Sequence, residues 1–589
     1  MNMLHMENLS EFMNSSDDKL RIDCMREGGL YSLTLTNTSD QQCRIGDLTL
    51  LSVDMPFAPD TKVYGEGYSK LAQYGGTITD CRMTTSYSDY THYKMKKPDD
   101  MHQVYNMAVF TPEGEDPILI GYASCFRFSG CIRFNESKLE LAINGENIAV
   151  DAHETIRLEQ IYLEQGELKT ILKHFAAAIA VNHPRLSFPE VPTGWCSWLV
   201  YGPDVTADNI YDNLHALKKH GLDLKYIQID DGYQAHMGDW LDCTDKFEGG
   251  VKKVCLDIKE QGFEPAIWVA PFIAEKDSSI FREHPDWFVK DDNGAPLSSA
   301  DVTFGGWRCG PWYMLDATHP EALEHLKHVF RTMHDEWKVT YYKLDANMWG
   351  AIPAGHRYDD TKTCVEAYRI GMEAIVEAAG EDSFILGCNA PMWPSIGVVH
   401  GMRITNDNSR DWGRFKHLAR ECFPRNWQNG NFWINDPDTV LLQNQMLDAA
   451  DPAGIGNTAE GAVTENEFLF NAAYTMATGG MVLSSDDISA LSDQNVELLR
   501  KLIPPVPNAA EFEDDSYTVG RAKIDDEKTV VYMFNFTDCE QDICADAEGK
   551  VHVFDLFEDK DLGTFENDIC IEKIAPHCAK VLICRNISK

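Results

Sequence analysis

Residues 226–234 read YIQIDDGYQ. A short apolar run ends in two adjacent aspartates, Asp230 and Asp231, followed at once by a glycine. Two carboxylates at the mouth of a buried strand are costly unless a partner or a ligand uses them. The same texture recurs along the chain in TGWCSW (193–198), EPAIWVAPF (264–272), YYKLDAN (341–347), FILGCNAP (384–391), MRITND (402–407), NFWINDPD (431–438) and GGMVLSSD (479–486). Amphipathic helices separate most of these runs. TADNIYDNLHALKKHG offers Thr206 as N-cap, Ile210, Leu214 and Leu217 on one face, and Gly221 just past the end. HPEALEHLKHVFRTMHDEW opens with Pro320 and keeps Leu323, Leu326, Phe330 and Met333 on one stripe.

Eight strand-then-helix units over about 300 residues are the count of a (β/α)8 TIM barrel. The C-terminal ends of the strands line the active site in that fold, and here they carry Trp198, Asp231, Asp345, Cys388, Asp407, Asp438 and Asp486. Two irregularities stand out. A long insertion (273–319) separates the third and fourth runs, and only MWPSIGVVHG joins the fifth to the sixth, too short for a full helix.

The flanks alternate with period two. LYSLTLTN, CFRFSGCIRFNE and LELAINGENIAVDAHETIRLEQIYLE predict an N-terminal antiparallel β-sandwich over 1–185, with an Asn-Gly turn inside the last stretch. The proline-rich NHPRLSFPEVPTG marks the boundary, and the barrel then occupies 186–503. After LIPPVPN, the runs SYTVGRAKI, KTVVYMFNF, KVHVFDLF and AKVLICR predict a small C-terminal antiparallel β domain over 504–589. The expected architecture is therefore multidomain.

With 589 residues, 44% hydrophobic and 25% charged, the chain can build a large core. Its net charge of −41 repels phosphate backbones and anionic lipid surfaces, so neither nucleic acid nor membrane is an expected partner. The opening MNMLHMENLSEFMNSSDDKL lacks the pattern of a signal peptide. Seventeen cysteines, an odd number without a CxxC pair, suit reduced thiols in a cytoplasmic protein. There is no GxxxxGK[ST], HExxH or EF-hand pattern, so no metal and no organic cofactor is expected.

Strand-end carboxylates remain as the chemistry. Asp345 follows YYKL, with Lys343 two residues earlier on the same face, where its ammonium would keep the carboxylate ionised as a nucleophile requires. Asp407 follows Arg403 in MRITNDNSRDW and suits a general acid, for which burial or a like charge must raise the pKa; Asp411 competes with it. Asp230 and Asp231 at a strand-to-loop corner can both accept hydrogen bonds from sugar hydroxyls. Trp195, Trp198 and Trp268 at strand mouths together suggest a platform for a ring.

The ordered set GWCSW, YIQIDDGYQ with GDW, IWVAPF, YYKLDAN, LGCNAP, GMRITND and WINDPD resembles glycoside hydrolase family 36 α-galactosidases of the shorter bacterial and archaeal type. The resemblance spans about 180–490, and it implies a retaining α-glycosidase working by double displacement. Asp345 would be the nucleophile and Asp407 the acid/base, with their carboxyl groups roughly 5–5.5 Å apart. Asp230 and Asp231 would hold the 4- and 6-hydroxyls of a terminal α-galactosyl unit on an oligosaccharide. Trp268, Lys343, Cys388 and Arg403 would complete the subsite, with Trp195 or Trp198 beside it. Family members also lend an aromatic from the N-terminal sandwich, for which VYGEGYSKL offers Tyr68 or Tyr64. The stretch CNAPMWPSIG departs from the glycine-rich segment of larger members, where the sugar's 2-position is framed. An α-N-acetylgalactosaminidase therefore stays open as an alternative, as does, from another class, a non-catalytic sugar-binding protein. A galactosyltransferase of the raffinose-synthase kind would need acceptor sites that the sequence does not display, and the oligomeric state, a homo-oligomer included, stays open.

Overall fold

All eight runs form strands, and all pair in parallel. They are β1 (Thr193–Cys196), β2 (Tyr226–Ile229), β3 (Glu264–Val269), β4 (Tyr341–Leu344), β5 (Phe384–Gly387), β6 (Gly401–Arg403), β7 (Ile434–Asp436) and β8 (Val482–Ser484). The computed structural model describes residues 18–445 and 461–587; the first 17 residues, read above for targeting, lie outside them. The sheet runs in the order β8-β1-β2-β3-β4-β5-β6-β7. The ring is completed by Met481 N–H donating to the Asn435 carbonyl (2.9 Å) and by a parallel bridge between Val440 and Ser484. Gly480 permits that approach, because a Cβ there would sit 1.9 Å from the Asn435 carbonyl oxygen.

The helices follow their sequence signals. Ala207–His220 starts with a Thr206–Asn209 capping box and ends at Gly221 in the left-handed region (φ 60°). Pro320–Trp337 buries Leu326, Phe330 and Met333 and leaves Leu323 half-buried. Between β5 and β6 there is only a 3₁₀ turn, Trp393–Ser395, as the short connection requires.

The N-terminal strands form one hydrogen-bonded antiparallel sheet of 12 strands folded around its own apolar core. The Asn144-Gly145 pair does not make the expected hairpin. Lys138–Val150 runs through it as one strand, and the surplus residues are absorbed as a bulge with Glu146 and Asn147 at positive φ (52° and 60°). The C-terminal strands give a six-stranded antiparallel sheet and a two-stranded one. In the latter, register places Cys544 opposite Cys570 at 4.1 Å between Cα atoms, and the two form a disulfide. That corrects the expectation of reduced thiols throughout.

One buried cation ties the N-terminal sheet to the barrel. Arg425, fully buried, pairs with Glu66 and donates to the carbonyls of Lys70, Ala72 and Ile404. The segment 68–70 is also laid against 390–392: Lys70 N–H donates to Ala390 O (3.1 Å), and Met392 N–H donates to Tyr68 O (2.8 Å). A loop of the first sheet thereby enters the barrel mouth.

Candidate active site

Asp230 begins the site where β2 ends. Its Oδ2 accepts from Lys343 Nζ (2.9 Å), Gln228 Nε2 (2.6 Å) and the Cys196 thiol (3.4 Å). Its Oδ1 accepts only the Asp231 N–H (2.9 Å) among the described residues. Asp231 is gripped by Arg308, whose Nε donates to Oδ2 (2.7 Å) and whose Nη2 donates to Oδ1, where Gln234 Nε2 also donates (2.6 Å). Both aspartates are 1% exposed, and each keeps one oxygen with a single protein donor. A carboxylate oxygen can accept two bonds, so each retains a place for a hydroxyl.

Lys343 thus serves Asp230 across β3, rather than its near neighbour Asp345 as the strand alternation suggested. Asp345 is fixed by neutral donors instead. Trp268 Nε1 donates to Oδ2 (3.1 Å), while Asn389 Nδ2 (2.8 Å) and Ala346 N–H (2.7 Å) donate to Oδ1. Ala346 sits at φ 53°, a left-handed value that carries a steric cost and turns its N–H back onto the carboxylate.

Asp407 stands differently. Its side chain is 55% exposed at the mouth and accepts from Arg403 Nη1 (3.2 Å). Desolvation by the surrounding protein pushes its pKa up, but Lys70, Arg403, Lys343 and Arg414 outweigh that and hold it below the usual carboxylate range, the opposite of the raised value expected of a general acid. Arg403 also pairs with Asp436 (2.8 Å) and Asp438 (2.8 Å) beneath the mouth. Burial raises the pKa of Asp438, against the pull of Arg403 and with the push of Asp407 and Asp436. Asp411, the competitor of Asp407, caps the helix Trp412–Cys422 by accepting from Arg414 N–H (2.8 Å). Among the described residues no group of three His, Cys, Asp or Glu is placed to hold a metal ion.

The remaining predicted residues divide. Cys388 lies in the site, 3.7 Å from Lys70 Nζ, with burial pushing its thiol up to about 12. Trp268 reaches Asp345, whereas Trp195 is fully buried with its N–H spent on the Asp486 carbonyl (2.8 Å). Trp198 is half-buried at the start of the helical turn after β1, packed against the core. Tyr68 is fully buried and donates its hydroxyl to Ala351 O (3.1 Å), and Tyr64 bonds to Glu66 (2.8 Å) in the seam between sheet and barrel.

Four site residues escaped the sequence reading. Lys70, 1% exposed, enters from the N-terminal sheet, donates to Thr405 O (2.8 Å), and makes no ion pair among the described residues. Tyr93 caps the short helical turn Asp89–His92 in a connection of the same sheet; burial raises its phenol pKa, and the charges of Asp89, Asp345 and Asp407 add to that. Arg308 arrives on the 273–319 insertion, and Asn389 follows Cys388 directly. WRCGPW gave a weak local signal for Arg308; nothing local marked Lys70 or Tyr93.

The Melibiase family matches residues 158–382. The chain is 25% identical over 268 residues to the bifunctional alpha-galactosidase/sucrose kinase of Mediterraneibacter gnavus, an alignment covering 42% of this chain and 27% of that protein. It is 27% identical over 278 residues to the A type blood alpha-D-galactosamine galactosaminidase of Flavonifractor plautii, covering 44% and 25%. These alignments span about a quarter of the relatives' lengths. In structure, the alpha-galactosidase of Thermus thermophilus superposes with a TM-score of 0.61 at 20% identity over 87% of this chain and 98% of that one. The GH36 alpha-galactosidase AgaA of Geobacillus stearothermophilus gives 0.67 at 13% identity, over 96% and 81%.

Arg403→Met is expected to cost about 3–5 kcal/mol at pH 7, since it strands Asp436 and Asp438 as buried, unpaired charges. The Asp438 pKa, already raised by burial, rises further without Arg403, so the loss grows as pH rises and shrinks toward pH 5. Urea unfolding at the two pH values checks this; an equal loss at both contradicts it.

Proposed function

We propose that this chain, which belongs to the melibiase-type glycoside hydrolases and has the fold of family 36, is a retaining exo-acting α-galactosidase that releases terminal α-linked galactose from oligosaccharides. The carrying observation is the contrast between its two candidate catalytic carboxylates. Asp345 has both oxygens fixed by three donors, while Asp407 faces the open mouth with a single donor on one oxygen. A nucleophile benefits from being held in one attack geometry, and an acid/base that serves two steps benefits from an unspent oxygen.

In this reading Asp407 protonates the leaving oxygen while Asp345 attacks the anomeric carbon. Water then attacks the galactosyl-enzyme ester and gives its proton to Asp407, which frees the Asp345 carboxylate and returns Asp407 to its protonated form. The developing positive charge on the sugar ring is met by the Asp345 carboxylate, and Trp268 and Asn389 keep that group in place. The free acceptor positions on Asp230 and Asp231 take two neighbouring hydroxyls, the 4- and 6-positions of galactose. Raffinose and stachyose bound to the Geobacillus enzyme are oligosaccharides of the size this reading requires. The galactosaminidase relative keeps the N-acetylgalactosaminide reading as the second test arm.

Hydrolysis of p-nitrophenyl α-galactoside and α-N-acetylgalactosaminide side by side is expected to favour the first. Asp345→Ala should lower that activity by about 10³-fold or more. Preference for the acetamido sugar would move the assignment to the alternative, and full activity in the alanine variant would remove Asp345 from the mechanism.

Lys70 is the first cation among those that hold Asp407 low. Lys70→Met should therefore raise the Asp407 pKa and move the alkaline limb of kcat/KM, which needs this acid protonated in the free enzyme, to higher pH. A pH–rate profile that stays in place or moves to lower pH contradicts that assignment.

A further inference from the structure

Between Gly401 and Arg410 only Asp407 is exposed; Ser409 is half-buried and the other eight residues are buried. The segment therefore offers a single carboxylate to the mouth from an otherwise buried run. The residues on either side of it are both asparagines, and each is tied to a buried carboxylate. Asn406 N–H donates to Glu421 Oε2 (2.7 Å), and Asn408 N–H donates to Asp438 Oδ2 (2.6 Å). Asn406 Oδ1 in turn accepts the Asp407 N–H (2.8 Å), so the first tie reaches the Asp407 backbone. The Asp407 side chain has one donor, Arg403 Nη1 at 3.2 Å, and its position is set chiefly by that backbone.

The two ties differ in redundancy. Asn408 is held again through its amide, which donates to Thr439 O (2.9 Å) and to the Tyr474 hydroxyl (3.1 Å). Asn406 makes one bond outside the segment among the described residues, the bond to Glu421. Glu421 lies in the last turn of the helix Trp412–Cys422 and is 3% exposed. Its other oxygen has only the His417 ring nitrogen near it (3.0 Å) among the described residues. A buried carboxylate costs free energy unless its bonds are spent on something. The double displacement makes no direct use of Glu421, and the hydrogen bond it accepts comes from the residue before Asp407.

We propose that Glu421 is a positioning residue for the acid/base: by holding Asn406 N–H it fixes the backbone of 406–407 and aims the exposed Asp407 carboxyl at the leaving oxygen. This rests on the glycosidase reading, in which Asp407 is the proton donor. Proton transfer needs the donor within hydrogen-bond reach of the oxygen it protonates, and a misplacement of about 1 Å can cost about 10²-fold. Without the tie at Asn406, Asp438 still holds Asn408, so Asp407 stays in the mouth but loses its fixed aim. The loss falls on substrates whose leaving group must be protonated.

The test compares kcat/KM, which reports the first displacement, for p-nitrophenyl and phenyl α-galactoside in wild type, Glu421→Met, Glu421→Asp and Glu421→Gln. The p-nitrophenolate departs with little help from an acid, whereas the phenolate depends on the proton. In Glu421→Met the phenyl substrate should lose about 30-fold and the p-nitrophenyl substrate no more than about threefold, so their ratio shifts about tenfold. Glu421→Gln keeps an oxygen that accepts from Asn406 N–H, and its ratio should stay within about twofold of wild type. Glu421→Asp, which keeps the charge but falls short of Asn406, should shift the ratio by about threefold or more and decides the matter where the methionine variant does not fold. A merely structural role lowers both substrates alike. Equal losses in the Met and Asp variants therefore overturn the positioning role and leave the glycosidase reading intact, and a Gln variant as impaired as the Met variant overturns the role of the acceptor. Wild type inactive toward both substrates overturns the glycosidase reading and the role of Glu421 with it.

Discussion

A cluster of carboxylates in a water-poor pit can exist only if cations are built into the strands beneath it, and this requirement organises the whole mouth of the barrel. Isolated buried carboxylates would take up protons or unfold the site. Lys343 on β4 answers Asp230, and Arg403 on β6 answers Asp407, Asp436 and Asp438 together. Arg308 closes over Asp231 from the insertion. Only Asp345 is served by neutral donors, so its negative charge is held in place without being cancelled by a contact ion pair. That difference sets Asp345 apart from the carboxylates that are paired with cations.

The barrel does not complete the site alone. The pair Glu66–Arg425, fully buried, pins the loop that carries Lys70 against the end of β6. The short connection between β5 and β6 leaves room for this, because a helix there would occupy the space where 68–70 lies against 390–392. The insertion between β3 and β4 meets the same N-terminal sheet at His92. The mouth is thus bounded by three separate parts of the chain, and their seams are hydrogen-bonded, the one at Glu66–Arg425 being fully buried.

Much of this was legible in the sequence. The eight strands could be read because burial on both faces makes continuous apolar runs, and because caps such as Thr206 and Gly221 mark helix ends locally. The strand-end aspartates could be read for the same reason, since their positions follow from where the runs stop. What could not be read depends on distant pairing. Lys343 and Asp230 are separated by 113 residues, and no local pattern announces that bond. Lys70 and Tyr93 lie in connections of the N-terminal sheet, whose position against the barrel is set by tertiary contacts. The Asn-Gly pair is a turn former in isolation, yet here the neighbouring strand 43–54 holds the chain straight and turns it into a bulge.

The central claim is that Asp345 and Asp407 act by double displacement, and the stereochemistry of the first product tests it most directly. Proton NMR during hydrolysis of an α-galactoside, recorded before mutarotation, should show α-galactose appearing first, as two successive inversions at the anomeric carbon require. Initial release of β-galactose would mean a single displacement by water and would contradict the roles given to both carboxylates.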